Sequence, residues 1–379
     1  MTAHTGTTLR VGFVMEQVLG HVTHCHTLRR VLQRDQRVDA LWLEVTYTGE
    51  GRVERLTALP QSVRGTMRGF LQVRDGLRGQ QLDALLFHTH KPAVFQWDYL
   101  ARVPTVLSLD VTPAQYDRLG EYYDHRADGD TPIARLKHWI NRRTFALARR
   151  LIVWSTWVRD SLIEQYGVPA GKVDVIPPGV DLALWGPPPA RDGRRGLPRV
   201  LFVGGDFERK GGRLLLDWFR ARGRGRCEVD LVTRDPVALE PGVHVHHGVV
   251  GNSPEARRLF QNADVFVLPS LGECFGIASV EAMAAGLPVV ATRVGGAGDI
   301  VAHRQTGLLI PPADKAAFRD ALDDLLSNAA ERRAMGMRGR ARAERLFDAE
   351  SNTRQLFACL QRVSGTESGL PQRARAPTT

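Results

Sequence analysis

The 379-residue sequence is poor in cysteine, poor in acidic relative to basic residues, and free of long apolar runs. Its four cysteines lie far apart and form no pair with metal-site spacing, which favours buried thiols in a reduced, cytoplasmic setting. No apolar run approaches the roughly 18 residues that cross a bilayer. The first ten residues, MTAHTGTTLR, lack the apolar core of a secretion signal. We therefore expect a cytoplasmic protein, and peripheral contact with the inner face of the membrane stays open.

The net charge of the chain limits the classes of binding partner that can be expected. There are 41 acidic and 51 basic residues, and the formal net charge is +10. Such an excess favours nucleotide phosphates, acidic lipid headgroups or nucleic acid. Neither a zinc-finger spacing nor an aromatic RNA-binding signature is present, so no nucleic-acid partner is expected. An arginine-rich composition without a specific partner is the alternative.

What the chain contains is a repeated alternation of short apolar runs and helix-like stretches. This alternation implies parallel sheets covered by helices on both faces. Residues 175–198, rich in proline and glycine, interrupt it and are the best linker candidate. The predicted strands cover residues 9–15, 40–45, 83–88, 104–109 and 150–155, and after the linker residues 199–205, 227–233, 243–248, 264–270, 288–292 and 307–312.

The stretch GECFGIASVE, residues 272–281, places two glutamates around a Phe-Gly pair. The flanking patterns predict that Glu273 lies in a strand-to-helix loop and Glu281 on the helix. Free backbone N–H groups from about Phe275 to Ala278 would hold phosphate oxygens. Glu281 is then placed to bind a ribose, and Glu273 lies where a transferred sugar would sit. The alternative is that Glu281 is an ordinary surface charge.

A second segment, LFVGGDFERKGG, ends a predicted strand with glycines and presents Arg209 and Lys210. Glycines let the backbone approach a ligand, and the adjacent cations suit a diphosphate. A solvated loop with surface charges is the other interpretation. In TRVGGAGDIV, Gly295 and Gly296 form a further close-approach loop or a plain turn.

Together with VIPPGVDLALW, AMAAGLPVVATRVGGAGDIV and TGLLIPP, these motifs resemble the retaining glycosyltransferases of family four. They match the group 1 domain of the GT-B fold almost continuously over residues 151–312. The resemblance implies an α/β fold of two Rossmann-like, doubly wound domains facing each other across a cleft. It also implies a nucleoside-diphosphate sugar as donor, most often a UDP or GDP sugar, with no metal or other cofactor. Arg209 and Lys210 would neutralise the diphosphate, Glu273 would contact the sugar, and the donor site would comprise Gly20, Gly205, Phe275, Gly276, Ile277 and Glu281.

The resemblance also suggests domain limits. Residues 1–180 would form the acceptor-binding domain and residues 181–345 the nucleotide-sugar-binding domain. We expect residues 346–363 to form a helix that packs back on the first domain. Residues 364–379 would be a disordered tail.

The first half matches less strongly. EQVLGHVTHCHTL resembles the family's first loop, in which a glycine approaches the phosphates and a histidine follows, here Gly20 and His24. A surface or capping role for His24 is equally open. His88 and His90 end a strand, so strand alternation predicts that they point to the same side. A metal pair is conceivable, but no third ligand is evident. We expect His24, His88 and His90 on the acceptor side.

The sequence departs from the family after the strand at VLSLDVTP. Many members carry His-Asp there, and this chain has Leu109-Asp110. In those members the histidine faces the reacting sugar. If the alignment holds, Asp110, His88 or His90 takes over part of the role of this missing histidine. Asp110 then joins Glu273, Arg209 and Lys210 as a catalytic candidate. Alternatively, the protein is a non-catalytic nucleotide-sugar-binding subunit. A nucleotide-sugar epimerase is a third hypothesis, and the pair of glutamates argues against it.

The segment IARLKHWINRRTFALARR has an apolar stripe, Ile133, Leu136, Ile140 and Leu147, with several arginines nearby. A membrane-surface helix combines these features. A core-packed helix with a basic outer face explains them as well and is the favoured interpretation.

We expect a carbohydrate or lipid-linked acceptor and a role in glycan, glycolipid or polysaccharide synthesis.

Overall fold

A computed structural model describes residues 8–18, 20–48, 53, 61–123, 125, 129–186 and 196–366. The part of the predicted linker from residue 187 to 195 and most of the predicted tail, from residue 367, lie outside the described residues. Within the described part, no helix is both long and apolar enough to cross a membrane.

Twelve strands form two parallel, six-stranded sheets in the described part of the chain. They are β1 Leu9–Glu16, β2 Val38–Val45, β3 Ala84–His88, β4 Thr105–Leu109, β5 Arg150–Val153, β6 Val173–Val175, β7 Arg199–Val203, β8 Glu228–Val232, β9 Val243–His246, β10 Val265–Leu268, β11 Val289–Thr292 and β12 Gly307–Ile310. The first sheet has the order β2-β1-β3-β4-β5-β6 and the second β12-β11-β10-β7-β8-β9. Each predicted strand segment overlaps an observed strand, so the α/β prediction is confirmed. The sequence missed β6, which has three residues and is too short for a pattern.

The helices cover both faces of the sheets. They are α1 Gly20–Leu32, α2 Gln61–Leu77, α3 Trp97–Arg102, α4 Pro113–Arg118, α5 Pro132–Leu147, α6 Thr156–Tyr166, α7 Gly212–Trp218, α8 Pro254–Asn262, α9 Ile277–Ala284, α10 Ala297–Ile300, α11 Lys315–Ser327, α12 Ala329–Leu346 and α13 Ala349–Ser364. Several begin with a side-chain cap that satisfies a free N–H group, as Ser155 does for α6 and Asp348 for α13.

The last helix, α13, packs on the first sheet although it follows the second. Its Leu356, Phe357 and Leu360 share a core cluster with Phe13 of β1 and Ile152 of β5. A separate cluster fills the opposite face of that sheet, and a third surrounds the second sheet. The C-terminal helix therefore packs against the sheet formed by the first half of the chain.

Two further contacts join the halves. The backbone N–H and hydroxyl of Thr156, in α6, donate to the two carboxylate oxygens of Asp299, in α10, at 3.0 and 2.8 Å. Arg30 in α1 forms an ion pair with Asp181 at 2.8 Å. These bonds bring the carboxyl ends of the two sheets face to face, where ligands of such sheets bind.

Helix α5 differs from the favoured prediction. Its stripe reaches the core only near the C-terminal end, where Thr144 and Phe145 are buried. Ile133 and Leu136 are 61% and 56% exposed. The prediction of a core-packed stripe was wrong for the first turns, because the helix extends beyond the edge of the core.

Candidate active site

A cavity of about 1320 Å³ lies between the carboxyl ends of the two sheets. Residues after β1, β3 and β4 form one wall, and residues after β7 and β10 form the other. The volume suits a ligand as large as a nucleotide sugar with room for a second substrate. Most of the residues predicted for the site line this cavity.

Two cations lie on the wall formed by the second sheet. Lys210 is ion-paired with Glu273, and their side chains are 17% and 10% exposed. Arg209 is nearly buried: its Nε donates to Asp206 at 2.9 Å and its Nη1 donates to the Gly272 carbonyl at 3.0 Å. The cations are thus fixed before any ligand binds, an arrangement that stabilises charge without reorganisation.

Backbone conformations that favour glycine shape this wall. Gly211 has φ +80°, and a Cβ there would overlap the carbonyl oxygen of Pro269. Gly295 has φ +54°, and a Cβ there would overlap the carbonyl oxygen of Glu273. Only glycine adopts such conformations without strain. The loop after β11 therefore packs directly against the backbone that carries Glu273.

The pair of glutamates lies where the sequence predicts. Glu273 is in the loop after β10, and Glu281 is in the second turn of α9. Gly276, with φ +97°, caps α9 without a side chain, and Ile277 and Ala278 line the cavity with the first N–H groups of the helix. Such groups have no intrahelical acceptor and can bind phosphate oxygens.

Glu281 is buried at the cavity wall and not on the surface. Among the described residues, no hydrogen bond or ion pair to its carboxyl is found, and burial alone raises its pKa to about 8. A buried carboxyl without a protein partner can accept hydrogen bonds from ligand hydroxyls. The surface-charge alternative is contradicted by this burial.

On the opposite wall, His21 lies between two carboxylates. Its Nε2 is 3.1 Å from Asp110 Oδ2 and its Nδ1 is 3.5 Å from Glu16 Oε2. Although burial favours the neutral ring, Asp110 and then Glu16 outweigh it and raise the pKa of His21 to about 10. His21 is therefore a cation in the neutral pH range.

The sequence analysis missed both His21 and Glu16. It selected Gly20 and His24 from the same loop by resemblance. The available signal was a pair of acidic residues at the ends of two predicted strands, Glu16 and Asp110, with a histidine in the following helix. The order of strands, which brings the two acids together, cannot be read from the sequence.

His24 and His88 lie behind His21 and do not line the cavity. The His88 ring is stacked on Trp154, with centroids 5.4 Å apart, and His24 is 5.1 Å from His88. Burial and then the His21 charge lower the pKa of His24 to about 4 and hold that of His88 well below its usual value. Both rings therefore pack behind His21 as neutral groups.

His90 does line the cavity, on the other side of the sheet from His88. Its ring contacts Phe145, with centroids 6.2 Å apart. The prediction that both histidines point to the same side was wrong. Strand β3 ends at His88, and Thr89 has φ +70°, so the strand alternation stops there.

Leu109, the departure from the family pattern, is fully buried in the core of the first sheet. Asp110 follows it directly and lines the cavity. The residue type at position 109 therefore serves packing in this chain. Asp110 and His21 are the polar groups that β4 and α1 present at this point.

Four contacts join the two walls of the cavity. A Cβ built on Gly20 would lie 3.5 Å from Ile277 Cδ1, so the first loop reaches the start of α9. Trp154 and Phe275 meet edge to face, with centroids 5.7 Å apart. The Tyr123 ring covers the Arg209 guanidinium at 4.3 Å and its hydroxyl is 3.5 Å from Cys274 Sγ. Within the second wall, Arg234 Nε donates to the Gly205 carbonyl at 3.4 Å.

Among the described residues, no three His, Cys, Asp or Glu side chains cluster as a metal site. The expectation that catalysis needs no metal or other cofactor stays a prediction.

Comparisons with known proteins agree with this geometry. The family described as Glycosyltransferase Family 4 matches residues 18–184, and the family described as Glycosyl transferases group 1 matches residues 197–328. A D-inositol 3-phosphate glycosyltransferase of Paenarthrobacter aurescens is 31% identical over 57% of this chain and 58% of its own length. The alignment thus spans little more than half of that relative.

Solved structures resemble almost the whole chain. Sucrose-phosphate synthase from Thermosynechococcus elongatus has a TM-score of 0.75 at 18% identity and covers 95% of this chain and 100% of its own. Anabaena HepE in complex with UDP has a TM-score of 0.69 at 18% identity, with 93% and 100% covered. Identity this low shows the fold alone. By the two family matches and this fold, the chain belongs to the family 4 glycosyltransferases and has the GT-B fold.

Proposed function

We propose that the protein is a retaining glycosyltransferase that transfers a sugar from a nucleoside-diphosphate sugar to an acceptor hydroxyl. One observation carries the proposal. Two fixed cations, a helix N-terminus and two buried glutamates converge on one cavity. Arg209 and Lys210 would bind the diphosphate, Glu281 the ribose and Glu273 the sugar, as the family resemblance implies.

Transfer needs stabilisation of the leaving diphosphate as the sugar becomes oxocarbenium-like. The Arg209 and Lys210 cations and the N–H groups at the start of α9 would supply it. In the same-face mechanism proposed for the family, the departing phosphate oxygen takes the acceptor proton, so no separate base is required. Closure of the two halves over the cavity would exclude water and suppress hydrolysis of the donor.

We favour UDP as the nucleotide. The support is the fold shared with Anabaena HepE, whose structures are described in complex with UDP and with UDP-glucose. GDP is the second candidate. The family resemblance implies that the base would be recognised largely by backbone contacts, so side chains would discriminate little between UDP and GDP.

For the acceptor we favour an anionic molecule, although the first wall carries the carboxylates of Glu16, Asp110 and Asp117 as well as basic side chains. Lys91, Arg135, Lys137 and His138 line the cavity on this side. The relative from Paenarthrobacter aurescens is described as acting on a phosphorylated inositol. An acceptor that carries phosphate, soluble or lipid-linked, would be attracted by these cations.

Helix α5 supports a lipid-linked acceptor and peripheral membrane contact. One face of α5 lines the cavity through Arg135, Lys137 and Asn141. Its other face exposes Ile133, Leu136 and Trp139 to solvent. A helix with exposed apolar residues and flanking arginines binds the interface of anionic bilayers. The mouth of the cavity would then face the lipid surface, in keeping with glycolipid or polysaccharide synthesis.

A thermal-shift screen with UDP, GDP, ADP and dTDP, each with and without metal, tests the donor site. A ligand that binds only the folded protein raises its melting temperature. We expect one diphosphate to do so without metal and to lose the effect in Glu281→Ala. No shift with any of the four would contradict the proposal.

Turnover is tested with the sugar conjugates of the selected nucleotide. Candidate acceptors are inositol phosphate in solution and polyprenyl-phosphate-linked sugars in vesicles. The configuration of the product, read by nuclear magnetic resonance, must match that of the donor. Donor binding without transfer to any acceptor would favour the non-catalytic subunit, and an isomerised sugar nucleotide formed without acceptor would identify an epimerase.

A further inference from the structure

The arrangement of His21 between Glu16 and Asp110 is not needed for the donor contacts described above. The three side chains are 10–16% exposed and all line the cavity. They come from the end of β1, the first turn of α1 and the residue after β4. Because strand β3 alone separates β1 from β4, the sheet itself holds the two carboxylates on either side of the histidine.

The charge of His21 is determined by its surroundings on every side. Asp110 and Glu16 face its two ring nitrogens, and both favour the imidazolium. His24 on α1, His88 on β3 and His90 just after β3 contribute no charge when they are neutral. Farther out, Lys91 and Tyr47 act on Glu16 from the ends of β3 and β2. The net result is one cation held by two anions.

Only one oxygen of Asp110 is occupied by His21. Among the described residues, its Oδ1 has no hydrogen-bond partner, and the carboxylate lines the cavity. Burial, and next the charge of Asp110, raise the pKa of the Cys274 thiol on the opposite wall. Asp110 and the loop that carries Glu273 and Cys274 line the same cavity, in which a sugar would lie.

We infer that His21 is a positioning residue for the transferred sugar: it fixes one oxygen of Asp110 so that the other accepts a hydrogen bond from a sugar hydroxyl. The inference rests on the proposed function, since it needs a nucleotide sugar in the cavity. A hydroxyl donating to a carboxylate makes a strong, charge-assisted hydrogen bond. The imidazolium also separates Glu16 from Asp110, which would otherwise repel each other and turn away.

The first test compares UDP with UDP-glucose by calorimetry in wild type, His21→Ala and His21→Gln. His26→Ala is the matched control, because His26 lies on the same helix and is exposed. We expect His21→Ala to leave the UDP affinity within about twofold and to weaken UDP-glucose by about tenfold. His21→Gln keeps an N–H donor for Asp110, so its affinity for UDP-glucose is expected to lie between those of wild type and His21→Ala. It also provides a near-isosteric variant if the alanine variant does not fold.

A pH profile separates positioning from a packing role. In Glu16→Gln, His21 loses one of its two anions, and its pKa falls from about 10. We then expect the rate of transfer by this variant to decline at a pH between neutrality and 10, where its His21 loses a proton. The rate of transfer by wild type should stay constant up to about pH 10. In His21→Ala, kcat/KM should fall by about 10- to 100-fold.

The outcomes are separable. Equal UDP-glucose affinity in wild type and His21→Ala, or identical pH profiles for wild type and Glu16→Gln, would overturn the role of His21 and leave the proposed function intact. A wild-type protein that binds neither UDP nor UDP-glucose, nor their GDP counterparts, would overturn both.

Discussion

Lys210 and Glu273 form an ion pair that joins the loop after β7 to the loop after β10 on one wall of the cavity. Both side chains are largely buried, so each compensates the charge of the other. A diphosphate entering the site would compete for the cation and leave Glu273 to the sugar. The pair is thus a largely buried ion pair of the cavity wall and not a surface salt bridge.

We expect Lys210→Ala to lower kcat/KM by about 100- to 1000-fold, because a fixed charge on the leaving group is lost. Its buried partner Glu273 is then unpaired, so the free energy of unfolding should also fall, by about 1–3 kcal/mol. Initial rates of transfer and urea unfolding measure the two effects.

A double variant separates stability from catalysis. Lys210→Ala combined with Glu273→Gln should recover stability without recovering activity, since no buried charge remains unpaired. Lys315→Ala, at an exposed position at the start of α11, is the control. Wild-type activity in Lys210→Ala would remove this lysine from the site.

The pKa of Glu281 predicts a pH dependence. Burial raises it from 4.5 to about 8, so the folded protein binds a proton more tightly than the unfolded chain between these values. Stability contributed at this site therefore falls as pH rises from about 4.5 to about 8. Glu281→Gln should raise the melting temperature above pH 8, where the ionised carboxylate costs on the order of a few kcal/mol.

Nucleotide binding should have the opposite trend. Ribose hydroxyls that donate to the carboxylate favour its ionised form, so binding below pH 8 releases a proton. We expect the dissociation constant for UDP to decrease towards pH 8 and then level off. Calorimetry in buffers of different ionisation enthalpy measures the number of protons released on binding. Glu281→Gln should lose the proton released by Glu281 while it keeps any contribution from titration of the UDP phosphates. An equal proton count in both proteins would contradict the ribose role.

The sequence predicted the parts of this site that depend on local pattern. Glu273, Gly276 and Glu281 could be placed on a loop and a helix because strand, turn and helix signals follow one another there. Arg209 and Lys210 were identified by their glycine-rich surroundings. The second sheet was predicted strand by strand for the same reason, since its apolar runs are short and bounded.

What could not be predicted depends on the order of strands and on the third dimension. Glu16 and Asp110 lie 94 residues apart in the chain and become neighbours of His21 only because β3 separates β1 from β4. His88 and His90 were assigned to one side because the left-handed turn at Thr89 leaves no clear signal in His-Thr-His. The exposed stripe on α5 was ambiguous because a helix pattern does not tell which partner covers its apolar face.

Gly295 offers a test of the loop geometry. In Gly295→Ala the methyl group would overlap the carbonyl of Glu273 and the residue would keep a positive φ. We expect a loss of about 1–3 kcal/mol in the free energy of unfolding and weaker UDP binding, because the loop that carries Glu273 must move. Gly298→Ala, where a Cβ meets nothing within 4 Å, should leave both unchanged. Equal behaviour of the two variants would show that the contact is dispensable.

The exposed residues of α5 predict binding to anionic vesicles. Phe95, Trp97 and Trp139 form a chain of ring contacts 5.9 and 5.8 Å apart, and Arg143 lies 5.0 Å from the Trp97 ring. Inserting Leu136 and Trp139 into the bilayer interface would remove apolar area from water while the arginines meet lipid phosphates. The double variant Leu136→Ser/Trp139→Ser should weaken binding to phosphatidylglycerol vesicles by about tenfold or more.

Flotation with these vesicles at low and high salt measures the effect, and high salt should weaken wild-type binding because it screens the arginine contribution. Leu239→Ser, at a position that is 81% exposed and outside α5, is the matched control. Transfer to a soluble acceptor should persist in the double variant, since its side chains point away from the cavity, whereas transfer to an acceptor embedded in vesicles should fall with the loss of binding. If wild type and the double variant float equally, α5 is not the membrane contact, and the basic wall of the cavity would then serve a soluble, phosphorylated acceptor.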